Sequence, residues 1–500
     1  MSDRLDDRIH ALVAELVESA PEPPPFPAAQ IATRQRRGSP RRVQRLALAT
    51  LLLVFLVGSA VSITSLLSGG GDDRDVVGLS GPAPAGPTTT TAAGASATTT
   101  TTTSATSATT PIPTAPFSSL TWSRVPHDEA VFGGEGLQVM ESVTVGGPGL
   151  VAVGREGPGG DRDAAVWTSA DGNTWSRVPH DEAVFGGDGR QVMNSVTAGG
   201  PGLVAVGWDG SGDDRDAAVW TSPDGITWAR VRHDAAVLGG EGRQEMENVT
   251  AGGPGLVAVG RDEASVGDLD AAVWISADGI TWTRVHDDEG VLGGEGLQLM
   301  VSVTAGGPGL VAVGFDGLSG RLDAAVWTSA DGITWSRVPD DEEVLGGDGR
   351  QLMVSVTAGG PGLVAVGTDS FQGAVWISPD GITWTRVPDD EVILGSRMSS
   401  VTADGSGLVA VGWAVSRRDV APLEPDSGFL GLELDEDAAV WTSPDGITWS
   451  RVPHDEAVFG GEGRQPMNSV AVGGPGLVAV GFDQLGLDFA AAVWVVATEN

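Results

Sequence analysis

Past Phe117 the chain alternates short apolar runs with glycine-rich breaks, in a unit of about 53 residues such as Trp122 to Trp175. Each unit holds an S-V-T-like run, at Ser142, Ser195, Asn248 with Val249, Ser302, Ser355, Ser400 and Ser469. L-V-A-V-G follows, from Leu150, Leu203, Leu256, Leu310, Leu363, Leu408 and Leu477. Then come a Val-Trp pair (Trp167, Trp220, Trp274, Trp327, Trp376, Trp441, Trp494) and a Thr-Trp pair (Trp122, Trp175, Trp228, Trp282, Trp335, Trp384, Trp449). Short runs rich in Val, Thr and Trp, bounded by Gly, Pro and Asp, predict strands. G-G-P-G separates the first two runs and S-x-D-G the last two, and both supply residues that accept positive φ in a tight turn.

Four strands per unit, seven times over, is the arithmetic of a propeller. The repeats open on the fourth-strand motif at Thr121 and end on the third-strand motif at Trp494, so the first strand is expected to complete the last blade and leave no free edge. The predicted fold is all-β: a single seven-bladed β-propeller of four-stranded blades over residues 118–500, placed after one transmembrane helix.

Ahead of the repeats the pattern changes. Leu5, Ile9, Leu12, Val13, Leu16 and Val17 have helical spacing, which predicts a short amphipathic helix in a cytoplasmic tail, residues 1–45. Residues 46–67 are uncharged and long enough to span a bilayer. The preceding arginines (Arg34, Arg36, Arg37, Arg41, Arg42, Arg45) put the tail in the cytoplasm and all that follows outside. Residues 68–117, rich in Thr, Ser, Pro, Ala and Gly, cannot bury a core and form a stalk. The expected location is therefore the cell membrane, single-pass, with the propeller extracytoplasmic.

Charge narrows the partners. The formal net charge is -37, and the acids concentrate in the repeats. Such a surface repels nucleic acid and anionic lipid headgroups, so no nucleic-acid partner is expected. There is no Cys, which removes disulfides and thiol chemistry, and there is no Tyr.

The six turns S-A-D-G-N-T-W (Ser169 to Trp175), S-P-D-G-I-T-W (from Ser222, Ser378 and Ser443) and S-A-D-G-I-T-W (from Ser276 and Ser329) resemble the Asp-boxes of BNR-repeat, sialidase-like propellers. Here Asp and Gly are adjacent, where the family's usual box separates them by one residue. The resemblance spans residues 118–500 and implies a membrane-anchored propeller protein of bacterial type. It also implies that the Ser and Asp side chains serve turn amides and that the Trp packs the hairpin. Sialidases of this fold use a Tyr nucleophile, three arginines and an F/Y-R-I-P motif; with no Tyr and no such motif, that chemistry is not expected.

Other constellations recur around the ring. His127, His180, His233, His286 and His454 follow outer strands, where equivalents in neighbouring blades would sit about 18 Å apart, too far to share an ion. They are expected to be solvated loop residues. Met140, Met193, Met246, Met300, Met353, Met398 and Met467 are expected as fillers between blades. The W-x-R arginines (Arg124, Arg177, Arg230, Arg284, Arg337, Arg386, Arg451) are expected to stack beside Trp. No metal or cofactor is predicted; Ca²⁺ has only a weak case, from acidic loops such as residues 209–216 that lack a calcium motif.

Variation concentrates after each L-V-A-V-G: Arg155, Trp208, Arg261, Phe315, Thr368, Trp413 and Phe482, followed by Glu156, Asp209, Asp262, Asp316, Asp369, Ala414 and Asp483. Blade symmetry also breaks at an insertion from Ala414 to Glu436 that carries Phe429 and Leu430. The candidate ligand-binding set is Arg155, Trp208, Asp209, Arg261, Asp262, Phe315, Asp316, Trp413, Phe482, Asp483, Phe429 and Leu430. Aromatic faces beside carboxylates suit sugar rings or a basic peptide. The predicted function is a monomeric, non-catalytic recognition or scaffold propeller that binds a glycan or an envelope protein. The alternatives are a glycoside hydrolase with paired carboxylates and a sensor signalling through the cytoplasmic helix.

Overall fold

The computed structural model describes residues 120–496, apart from 161, 213, 266–267, 287–289, 295, 319–320, 348, 405, 418–433, 475 and 487. The tail, the candidate membrane span and the stalk lie outside the described residues. No helix among the described residues is long and apolar enough to cross a membrane.

The fold is all-β and built of four-stranded antiparallel meanders. The first comprises β2 (Leu137–Gly146), β3 (Gly149–Gly157), β4 (Asp163–Ser169) and β5 (Trp175–Arg177). The same plan repeats in β6–β9 (residues 190–230), β10–β13 (243–284), β14–β17 (297–337), β18–β21 (351–386) and β22–β25 (396–451). In the last unit β26 (Met467–Gly473), β27 (Gly476–Leu485) and β28 (Asp488–Val496) are completed by β1 (Trp122–Arg124), which pairs with β28 from Trp122↔Val496 to Arg124↔Trp494. The expected closure by the chain's own first strand is therefore present.

First strands of successive units pack side by side around a ring, and β26 meets β2 across the seam. At several boundaries the third-strand side also touches the next unit's first-strand side through a short parallel bridge, as at Leu137↔Phe489, Arg162↔Arg190 and Arg243↔Arg215.

Every boundary carries the same hydrogen bond. Ser142 Oγ accepts from the amide of Val196 (3.3 Å), Ser195 from Val249 (3.3 Å), Asn248 Oδ1 from Val303 (3.1 Å) and Ser302 from Val356 (3.2 Å). Ser355 accepts from Val401 (3.1 Å), Ser400 from Val470 (3.3 Å) and Ser469 from Val143 (3.2 Å), which closes the circle. No ladder joins successive first strands among the described residues, and a side-chain oxygen satisfies an amide that would otherwise be buried unpaired.

The core lies between units rather than within them. Met140, Val143, Leu150, Ala152 and Trp167 of the first unit pack on Val478, Val480, Ala491 and Val493 of the last, and each boundary repeats the arrangement. The methionines are fully buried in these seams, as expected of flexible fillers. Each third-strand Trp is buried and donates its Nε1–H to a loop carbonyl: Trp167 to Val131, Trp220 to Val184, Trp494 to Val458. Three of these loops contain single-turn helices, α1 (Glu129–Phe132), α2 (Glu182–Phe185) and α3 (Glu456–Phe459), each capped by the preceding Asp.

The S-x-D-G turns behave as the resemblance implies. Asp171 Oδ1 accepts from the amides of Asn173 (2.9 Å) and Thr174 (2.7 Å), Ser169 Oγ accepts from Gly172 (2.8 Å), and Trp175 Nε1 donates to Gly172 O (2.7 Å). Backbone donors hold the Asp171 carboxyl below its ordinary pKa. Gly172 has φ 77°, a conformation a side chain would strain.

The ring of boundary hydrogen bonds makes a testable claim. Ser195 is buried and accepts from both Val249 N and Asn248 Nδ2, so Ser195→Ala orphans two donors at one seam. Urea unfolding is expected to show a loss of about 1–3 kcal/mol, whereas an unchanged midpoint and slope would mean that the bond is incidental.

Candidate functional site

Two of the columns that vary between units are brought together by the strand register at the inner end of each unit. One is the predicted column on the second strand. The other is a β-bulge on the first strand, where the ladder slips between the buried Met and the boundary Ser. The bulged residues run Glu141, Asn194, Glu247, Val301, Val354, Ser399 and Asn468. A bulge leaves one residue unpaired and re-aims its side chain. Sequence reasoning missed this column, although its variation beside an invariant Met was a visible signal.

The bulge residues divide the inner ring into two sides. On the polar side Asn468 Nδ2 donates to Met140 O (3.0 Å) and Glu141 Oε2 (3.2 Å), and Asn194 Nδ2 donates to Met246 O (3.0 Å) and Glu247 Oε2 (3.3 Å). Arg155 from the second strand lies 2.9 Å from Glu141. Arg261 pairs with Glu245 and reaches Glu247 at 3.9 Å, while Arg215 bonds Glu245 at 2.7 Å and lies over the Trp208 ring, 4.4 Å from its centroid. On the other side Val301 and Val354 join Leu299, Phe315 and Leu322 in an apolar cluster.

Burial sets the protonation of this polar arc. It pushes the Glu141 carboxyl up, against the pull of Arg155. It pushes Glu247 up to about 8, with Arg261 opposing and the nearby Glu245 and Glu141 charges adding to the rise. Burial acts on Glu245 too, but the guanidiniums of Arg261 and Arg215 outweigh it and hold that carboxyl low. Two carboxyls two residues apart are thus driven in opposite directions.

The predicted ligand set is placed differently from expectation. Arg261 is 2% exposed, Phe315 2%, Trp208 6% and Phe482 6%: Phe315 and Phe482 sit in apolar clusters, Trp208 lies under Arg215 and Arg261 is held by Glu245. Arg155 and Trp413 are half-buried. The acids that follow them are spent on ion pairs within their own unit: Asp209 with Arg230, Asp262 with Arg284, Asp316 with Arg337 and Asp483 with Arg124. Each of those arginines also lies over the third-strand indole, at 5.3 Å to the centroid for Arg124 on Trp494 and 5.4 Å for Arg230 on Trp220. The register explains the reach: Asp209 stands opposite Asp216 and Arg230 opposite Trp220, so the arginine runs along the third strand, over the indole, to meet the acid. Phe429 and Leu430 lie outside the described residues. The insertion's two ends continue the ladder, from Ala414↔Asp437 to Arg417↔Leu434, so the break in symmetry starts as a lengthened hairpin.

Neither a family model nor a curated protein matches the sequence. Among solved structures, the chain is similar over 78% of its length to 98% of a chain described as "YCF48 bound to D1 peptide", at 13% identity and TM-score 0.40. A Trypanosoma rangeli sialidase in complex with 2,3-difluorosialic acid matches over 75% of this chain and 59% of that one, at 13% identity and TM-score 0.36. Polysaccharide lyase Uly1 matches over 72% and 90%, at 12% identity and TM-score 0.39.

The raised carboxyl gives a pH signature. Folding lifts Glu247 from 4.5 to about 8, so the unfolded chain loses this proton first. The stability it contributes is full below pH 4.5 and is lost as pH climbs through about 8. Glu247→Gln keeps the side chain neutral at every pH. It is expected to be more stable than the parent at pH 8.5, with the gap shrinking towards pH 5; a gap independent of pH would show that Glu247 is ionised in the folded chain.

Proposed function

We propose that the protein is a membrane-anchored recognition module: a single seven-bladed β-propeller, held outside the cytoplasm by residues 46–67 and the stalk, that binds a glycan or an envelope protein without turning it over. The observation that carries this reading is the contrast between a repeated framework and the few variable positions that burial does not consume, Arg155, Trp413 and the insertion that begins at Ala414. A scaffold kept constant while one surface differs from unit to unit is what a binding face requires. The contact surface we favour is the half-buried Arg155 and Trp413 together with the insertion that begins at Ala414, since Trp208, Arg261, Phe315 and Phe482 are buried. The acidic exterior favours a neutral or basic partner.

A glycoside hydrolase is the second reading, and one observation favours it. Glu245 and Glu247 have opposed protonation tendencies, the pattern of an acid and its charged neighbour. Against it, the Glu245 side chain is 2% exposed and the Glu247 side chain 10%, and both are engaged by arginine, which leaves little room for a sugar oxygen to reach either.

Binding of the full chain to purified envelope polysaccharides and to immobilised envelope proteins separates the readings. Trp413→Ala is expected to weaken binding at least about tenfold, roughly 1.4 kcal/mol or more, with no product released from any glycan. Release of product that Glu247→Gln abolishes would establish the hydrolase instead.

A further inference from the structure

The loops that follow the fourth strands bring together side chains that the binding face does not use. After β5, His180 Nε2 lies 3.2 Å from Glu182 Oε2 in its own loop and 3.7 Å from Asp163 Oδ2 at the start of β4. After β25, His454 Nε2 lies 3.2 Å from Glu456 Oε2 and 3.6 Å from Asp437 Oδ2. In each trio the three donor atoms all fall within 4.8 Å of one another. Four ligands at about 2.0–2.1 Å around a tetrahedral ion sit about 3.3 Å apart, so both trios have the span of three corners with the fourth facing solvent.

The donors come from within one unit. The wide separation of neighbouring units, which argued against a shared ion, therefore does not bear on them. One imidazole with two carboxylates and no thiolate suits a borderline divalent ion such as Zn²⁺ rather than Ca²⁺, which takes oxygen alone.

The repeats contain their own incomplete copies. In the last unit His127 keeps Glu129 at 3.1 Å, but Ala490 stands where β4 has Asp163. After β9, His233 keeps Asp216 at 3.5 Å, but Ala235 replaces the Glu. After β17, Asp340 stands in for His, and Arg321 takes Glu342 as an ion-pair partner. The two complete trios also differ behind the imidazole. Glu156 Oε1 lies 3.9 Å from His180 Nδ1, whereas the matching position before β24 is Ala414. At that distance the carboxylate acts through its charge, which favours a cation bound at the opposite ring nitrogen.

We propose that the chain binds two divalent transition-metal ions of the zinc class, one at Asp163, His180 and Glu182 and a weaker one at Asp437, His454 and Glu456, each with an open coordination position. Titration of the full-length chain with Zn²⁺ alone, by calorimetry with bound metal checked by equilibrium dialysis, tests this. Two equivalents are expected in two resolved steps. His180→Ala removes the tighter step, His454→Ala the weaker, and the double variant both. These histidines are about a third exposed, so the variants retain the far-ultraviolet circular dichroism of the parent. Ala490→Asp completes the trio with His127 and Glu129 and adds a third equivalent. A stoichiometry unchanged in the double variant, or no uptake at either step in the parent, overturns the proposal.

Discussion

The structure depends on how adjoining units hold one another at their inner edges. Each unit is a four-stranded meander whose apolar faces are covered only by its neighbours, so none is stable alone and the circle has to close. The boundary Ser, or Asn248, supplies the directional part of that closure by accepting a buried amide from the next first strand. The methionines and third-strand tryptophans supply the bulk. Pairing of β1 with β28 then ties the two ends of the repeat region into one unit, so opening the seam would cost a ladder as well as a packed face.

The same geometry accounts for where polarity is allowed. A residue facing a seam must be apolar or fully paired, and the second-strand acids meet this condition by bonding the fourth-strand arginine that rests on the intervening indole. The bulge releases one residue per unit from that condition. At this position the sequence varies freely, and Glu141, Asn194, Glu247 and Asn468 build a polar arc opposite the apolar Val301 and Val354. The bulge residues and the side chains that meet them, such as Arg155 and Phe315, make the inner ring asymmetric on a repeated frame.

Much of the fold was legible because each strand carries its own marker and each turn its own chemistry. Val-Trp, Thr-Trp, L-V-A-V-G and S-x-D-G mark the strand order within a unit and the closure by β1 without knowledge of any contact. The site was less legible, for two physical reasons. Exposure on a propeller depends on the neighbouring unit, so Trp208 and Phe315 look like surface aromatics until the adjacent seam is in place. A bulge, moreover, has no composition of its own: Glu, Asn, Val and Ser all occupy it, and only the pairing slip between Met and Ser reveals it. The histidine trios were hidden for a related reason, since Asp163 and His180 are 17 positions apart and meet through the hairpin of β4 and β5.

The central claim is that inner-edge bonds close a continuous circle with no weak boundary. Amide hydrogen exchange at Val143, Val196, Val249, Val303, Val356, Val401 and Val470 measures each boundary separately. The account predicts that all of them exchange only with global unfolding, with Val143 at the seam as slow as the rest. Fast exchange confined to Val143 and its β1–β28 neighbours would contradict it, because the seam would then be an open end.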